Sequence, residues 1–163
     1  MKTLLTILLI GYTTISFSQS NFLKDRKPDL EIGLNSTGKL NTVELGWNSI
    51  KDYGGAGLYG LFTDGIIIGS EFGMKNNNLV IAPKITYSYN YILLNGSFSI
   101  INYNIGNQSS LYLKPQIGFT FCGYIDMVYG YNIPLSNRKH EFQGSTLTLR
   151  CNIFKTSKYL FNK

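Results

Sequence analysis

Few residues in this chain are equipped for catalysis. Its single histidine, His140, sits in the polar run Ser136-Asn137-Arg138-Lys139-His140-Glu141, with Ser136 and Ser145 at loop spacing on either side. A serine activated by an imidazole could carry acyl transfer, but the base needs a group to orient it. Only Glu141 is at hand, and a solvated polar loop is the preferred account of these residues. No H-x-E motif and no Cys/His spacing of a metal site occurs. No catalytic residue, metal or cofactor is therefore assigned. The two cysteines, Cys122 and Cys151, fall in opposite phases of their alternating stretches, the first with Lys114, Gln116 and Thr120, the second with Leu147 and Leu149. Thiols on opposite faces of a sheet cannot meet, so two free thiols are expected.

The informative charges are isolated ones. Glu71, Lys84, Lys114, Asp126 and Arg150 each stand alone in the polar phase of a long alternating stretch, and Gln116 shares the phase of Lys114. In Leu111–Phe121 the apolar phase is Leu111, Leu113, Ile117, Phe119 and Phe121, against Tyr112, Lys114, Gln116, Gly118 and Thr120. In Leu79–Tyr89 it is Leu79, Ile81, Ile85, Tyr87 and Tyr89, against Ala82, Lys84, Thr86 and Ser88. Period two with one apolar face and one face of charge, amide, hydroxyl and glycine is the signature of strands.

The composition fits an all-β chain of one domain. Of 163 residues, 44% are hydrophobic, 14% aromatic and only 15% charged. So many aromatic and β-branched residues argue against disorder. A membrane-spanning helix needs about 20 consecutive apolar residues, and none is present. Met1-Lys2-Thr3 followed by Leu4–Ile10 and a polar, small-residue stretch has the layout of a secretory signal peptide. Residues 1–19 are assigned to it, with cleavage near Ser18 or Gln19.

A soluble sandwich would turn the apolar faces inwards; a membrane barrel turns them to lipid and fills its lumen with polar groups. Three features favour the barrel. The alternating stretches match the ~9–11 residues that cross a bilayer at a tilt. The polar faces hold single charges of both signs rather than a lysine-rich surface. Tyr87, Tyr89, Tyr91, Tyr103, Tyr129 and Tyr131 cluster towards strand ends, as in an aromatic girdle. The expected fold is a small antiparallel up-and-down transmembrane β-barrel of about eight strands, after a cleaved signal peptide.

The strands are read at 41–49, 56–63, 65–74, 79–90, 92–103, 111–121, 124–133 and 144–154, giving a barrel over 41–154. Residues 20–40 form a lead-in in which 30–36 also alternates and is offered as one extra strand, either a ninth or added edge strand or a sign that one of the eight is miscounted; 155–163 form a periplasmic tail. Asp64-Gly65 reads as a hairpin turn, since both positions tolerate positive φ. It then shares the periplasmic side with Asn90-Tyr91 and Cys122-Gly123, while the longer connections at 50–55, 75–78, 104–110 and 134–143 face outwards.

Three segments, Ile81-Ala82-Pro83-Lys84-Ile85-Thr86-Tyr87, Leu113-Lys114-Pro115-Gln116-Ile117-Gly118-Phe119 and Tyr129-Gly130-Tyr131-Asn132-Ile133-Pro134-Leu135-Ser136, carry a resemblance. Together they make the chain similar to an uncharacterised family of small exported outer-membrane β-barrel proteins of flavobacterial type. The resemblance covers roughly residues 65–154. It departs from the family pattern at Gln116, where an acidic residue is common, and at Gly144-Ser145-Thr146, where a basic stretch is common. It implies an outer-membrane barrel and brings no activity with it.

The functional expectation follows. Glu71, Lys84, Lys114, Gln116, Asp126 and Arg150 should form a charge network inside the lumen, because an unpaired buried ion costs several kcal/mol. Lys114 with Asp126 and Glu71 with Lys84 are the expected contacts, with Glu44 joining if it keeps phase with Thr42 and Gly46. A lumen filled in this way suits a structural or surface-interacting protein of the cell outer membrane. The alternatives are a narrow pore or small-solute binder and, behind it, a lipid-modifying enzyme at the rim. The expected partners are outer-membrane lipid and lipopolysaccharide, with loops 50–55, 104–110 and 134–143 offered to a surface partner. The net charge of +6 is spread without an aromatic-interleaved basic patch, so nucleic acid is not expected. The chain is expected to be a monomer.

Overall fold

A computed structural model describes residues 26–38, 40–53, 62–106, 108–121, 123–135 and 141–153. The signal segment 1–19, the tail 155–163, Cys122, Ser136 and His140 lie outside the described residues. Eight strands follow in order: β1 (Lys27–Thr37), β2 (Leu40–Asp52), β3 (Phe62–Lys75), β4 (Asn78–Tyr91), β5 (Leu94–Ile105), β6 (Gln108–Phe121), β7 (Ile125–Pro134) and β8 (Gly144–Asn152). Each pairs antiparallel with the next, and β8 returns to β1, closing the barrel. An all-β, up-and-down barrel of eight strands is thus the observed architecture. Closure leaves no unpaired edge.

The alternation read from the sequence becomes inside and outside. Along β4, Val80, Ala82, Lys84, Thr86, Ser88 and Asn90 are buried in the barrel, while Leu79, Ile81, Ile85, Tyr87, Tyr89 and Tyr91 are exposed. The parity holds around the ring. The interior is polar and the exterior apolar, the reverse of a water-soluble core.

Two boundaries differ from the sequence reading. The extra strand offered at 30–36 is the middle of β1, which pairs with both β2 and β8 and so closes the barrel, while 56–63 and 65–74 are not two strands. The barrel therefore begins at Lys27, not 41. Asp64-Gly65 is not a turn: it lies within β3, and Gly65 has no positive φ. Packing explains both residues. A Cβ on Gly65 would lie 2.6 Å from Asn48 Oδ1 and 3.1 Å from Ser88 Oγ. Asp64 is on the outer side, where Arg26 Nη2 meets its Oδ1 at 2.7 Å and the hydroxyls of Tyr53 and Tyr87 donate to its Oδ2 at 3.0 and 3.4 Å. Of the strand expected at 56–63, residues 56–61 lie outside the described residues, and 62–63 begin β3.

These changes reverse part of the loop sorting. The proximal end, where β1 starts and β8 stops, carries the connections 53–61, 92–93 and 122–124. The distal end carries 38–39, 76–77, 106–107 and 135–143. Loops 50–55, 104–110 and 134–143 consequently do not share an end, because one strand, β3, stands where two strands joined at Asp64-Gly65 were expected between the first of them and the others. Turn chemistry is nonetheless visible. Asn76 and Asn77 both take positive φ (49° and 62°), as a two-residue hairpin of the primed type requires. Ile92, at φ 55°, is a strained place for a β-branched residue.

Candidate functional site in the barrel interior

The lumen is organised in three levels, each set by which residues parity turns inwards. The middle level holds the ions. Lys84, on β4, reaches Glu44 of β2 and lies 3.3 Å from Glu71 Oε1 of β3. Lys114 Nζ, arriving from β6, donates to the same Oε1 at 2.7 Å. Oε2 of Glu71 accepts from Thr42 Oγ1 at 3.0 Å and from the Tyr103 hydroxyl at 3.2 Å. Glu71 is therefore the hub, fully buried and bonded by four side chains. Glu44 is braced in turn by Asn35 Nδ2 at 3.0 Å, Asn35 accepts from the Thr148 hydroxyl, and Thr148 accepts from Gln116 Nε2 at 2.9 Å. This network of bonds crosses the lumen and ties seven of the eight strands, all but β7. Charge-assisted hydrogen bonds of this kind are roughly twice as strong as neutral ones.

All six residues singled out from the sequence are buried inside the barrel. Glu71, Lys84 and Lys114 come together, with Glu44 joining them, and Glu71 meets Lys84 as expected. Lys114 does not meet Asp126. The short β6–β7 connection fixes a register in which Asp126 faces Thr120, six residues along β6 from Lys114, or about 20 Å at the strand rise. Asp126 instead stands opposite Arg150 on β8 and accepts from Asn95 Nδ2 at 3.4 Å. Arg150 donates through Nη2 to Ser97 Oγ at 3.0 Å across the lumen, and its stem covers Gly33. Gln116 also accepts from Ser97, at 3.5 Å.

The proximal level is an amide belt. Asn48 Nδ2 donates to Glu31 Oε2 at 3.3 Å and to Asn152 Oδ1 at 3.2 Å, and Asn152 Nδ2 donates to the Gly123 carbonyl at 2.8 Å. Asn95 Nδ2 donates to Asn90 Oδ1 at 2.6 Å, and Asn90 Nδ2 to Thr63 Oγ1 at 3.0 Å. The distal level is an apolar plug of Leu40, Val80, Ala82, Ile101, Tyr103, Tyr112 and Phe142. Phe142 comes from the β7–β8 connection and turns down into the mouth, stacking on Tyr103 with centroids 4.5 Å apart. Its N–H donates to the Tyr112 hydroxyl at 3.2 Å, and its carbonyl accepts from Asn132 Nδ2 at 2.9 Å. The Tyr103 hydroxyl links plug to hub.

Sequence reasoning did not single out Glu31 and Asp29, because 30–36 was offered only as an extra strand outside the barrel count. Their signal was present: Asp29, Glu31, Gly33 and Asn35 keep one phase. For Phe142 there was none, since it lies in an aperiodic connection. As for the residues weighed for catalysis, Ser145 Oγ is on the outer surface, where it accepts from the Tyr129 hydroxyl at 2.7 Å. Cys151 shares the outer phase of Leu147 and Leu149. Among the described residues no three His, Cys, Asp or Glu side chains are grouped to hold a metal. No protein-family model, no curated protein and no solved structure matches this chain.

Proposed function

We propose that this protein is a small outer-membrane β-barrel whose lumen is shut by its own side chains, acting as a structural or surface-interacting element and not as a channel. One observation carries the reading: the molecule is inside out. Ile68, Met74, Ile117 and Phe119 are each more than 60% exposed on the outer face, amid a continuous ring of exposed Ile, Leu, Val, Phe and Tyr. Soluble monomers rarely expose a contiguous apolar patch above a few hundred Å². Along β4 the apolar outer row runs from Leu79 to Tyr91, about 30 Å high at the usual rise and tilt and close to the ~25 Å band of such barrels. The signal-peptide layout of residues 1–19 supports export. An even strand number then puts the proximal end in the periplasm. Trp47, Tyr53, Tyr87, Tyr89 and Tyr91 crowd towards that end, as interfacial aromatics do. The distal mouth would face outwards, beside lipopolysaccharide.

Two measurements test this. The mature protein from outer-membrane fractions should migrate faster on a gel before boiling than after it. Replacing Ile85 by Arg, in the middle of the outer band, should lower the stability of the bilayer-inserted barrel by about 2–4 kcal/mol. A soluble protein of unchanged mobility, indifferent to Ile85→Arg, would overturn the membrane reading. A third measurement concerns the lumen. Closed by the aromatic plug at one end and the amide belt at the other, the wild-type barrel should leave a planar bilayer at background conductance. Discrete channel openings would favour the narrow-pore reading instead.

A further inference from the structure

We propose that the distal mouth holds a binding site for a small alkylammonium compound, such as a short diamine, and that Lys75 is its resident intramolecular occupant. The Lys75 ammonium lies 4.5 Å from the centroid of the Phe142 ring and 3.4 Å from Glu141 Oε2. An aromatic face beside a carboxylate is the pairing that recognises an ammonium group: the ring quadrupole and the anion act on one charge. The site stays in place without its occupant. The Phe142 ring is backed by Tyr103, and its backbone is bonded on both sides by Tyr112 and Asn132. Lys75 is held more loosely. Its backbone ends β3, next to the Asn76-Asn77 turn, but its side chain is long, and its ion pair is with a carboxylate 45% exposed. Lys75 itself is 16% exposed, so the pair is partly buried but open to solvent at its carboxylate, and a competing ammonium can reach it there.

A cavity of about 380 Å³ opens against the same Glu141 and Phe142, with Tyr103, Ile105, Gln108 and Ser110 among its other walls. That volume falls within the usual range for small-molecule sites and is too small for a polymer segment of any length. Ile105 offers an apolar wall for a short alkyl chain. Gln108 and Ser110 offer amide and hydroxyl groups for a polar far end. The tethered Lys75 competes at an effective concentration in the millimolar range, which masks the affinity of the wild type for free amine. The site stands on the plug end, beyond the apolar band, and does not depend on the barrel being in a bilayer.

The test uses the mature barrel refolded in a non-ionic detergent, since a choline headgroup would itself compete. Calorimetric titration with 1,4-diaminobutane should show Lys75→Met binding at least about tenfold tighter than the wild type, the masking expected of a tethered competitor. Adding Glu141→Gln to that variant should lose the gain. In the wild type, excess diamine should shift the side-chain NMR signal of Lys75 as the ammonium is expelled, a readout that holds even where Lys75→Met fails to refold. Equal affinities in wild type and Lys75→Met, or an unchanged affinity on adding Glu141→Gln, would overturn the site. So would a Lys75 signal that excess diamine leaves in place.

Discussion

Replacing Glu71 by Ala is expected to destabilise the barrel by about 3–5 kcal/mol, the range found when one partner of a buried ion pair is removed. The loss falls on other residues. Glu71 is the only carboxylate within ion-pair distance of Lys114 among the described residues, so the substitution leaves a fully buried ammonium without a counter-charge. Lys84 keeps Glu44 and suffers less. Thr42 and Tyr103 lose an acceptor, and with Tyr103 the network loses its link to the plug. Three comparisons make the prediction sharp. Lys75→Ala breaks a pair open to solvent at Glu141 and one ring contact, and should cost about 1–2 kcal/mol. Glu71→Gln, which keeps shape and acceptor but loses charge, should fall between. Glu71→Leu combined with Lys114→Met should recover much of the loss, because a buried pair replaced by packed apolar groups is often neutral. Urea unfolding from lipid vesicles, followed by the heat-modifiable gel band, gives the midpoints. An effect at Glu71 no greater than that at Lys75 would mean that the interior is wet and open, and the closed-lumen reading would have to go.

What the sequence made legible was the side of the sheet. In a regular strand the face is fixed by counting in twos, so Lys84, Lys114, Gln116 and Arg150 are assigned to the interior from their neighbours alone. Which of them touch is another matter. Lys114 and Glu71 stand on β6 and β3, strands that are not paired, and they meet only because the barrel curls them to face each other across the lumen. Counting along the chain sees neighbouring strands, and so it offered Asp126 to Lys114. At Asp64-Gly65 the difficulty was of a different kind. The dipeptide has the chemistry of a turn, yet a glycine is equally what an inner face needs where Asn48 and Ser88 crowd it, and an aspartate is what Arg26 needs as a partner. Local chemistry could not separate the two uses. The β1 strand was obscured by the charged, proline-bearing residues before it, although Pro28 sits at its start, where the missing N–H is tolerated. Phe142 carries no periodic signal at all, because its place is fixed by Tyr103, Tyr112 and Asn132, each on another strand.

Gly118→Ala should prevent the barrel from closing properly, with a cost above about 3 kcal/mol, beyond the common range for overpacking. A Cβ at this position would lie 2.1 Å from the Met127 carbonyl oxygen, 2.6 Å from Val128 Cα and 2.9 Å from the Met127 carbonyl carbon. All three are backbone atoms of the paired strand β7, so no side-chain rotation can make room. The strands must separate at Gly118↔Val128, and that displaces the pairs on either side, Gln116↔Gly130 and Thr120↔Asp126. In an open sheet an edge strand could drift outwards. A closed ring of fixed strand number and tilt has no edge, so the widening must be taken up by the other ladders. Two of the residues displaced, Gln116 and Asp126, also belong to the interior hydrogen-bond network, which couples the backbone strain to lost polar contacts. Gly96 supplies the control. It is on the outer face of β5 with no atom within 4 Å of an added Cβ, and Gly96→Ala should be neutral or stabilising by about 0.5 kcal/mol through the unfolded chain. Refolding yield into vesicles and the urea midpoint should fall sharply for the first variant and hold for the second. Equal behaviour of the two would show that β6 and β7 are not locked together at Gly118, and the register that sets Asp126 opposite Thr120 would lose its mechanical basis.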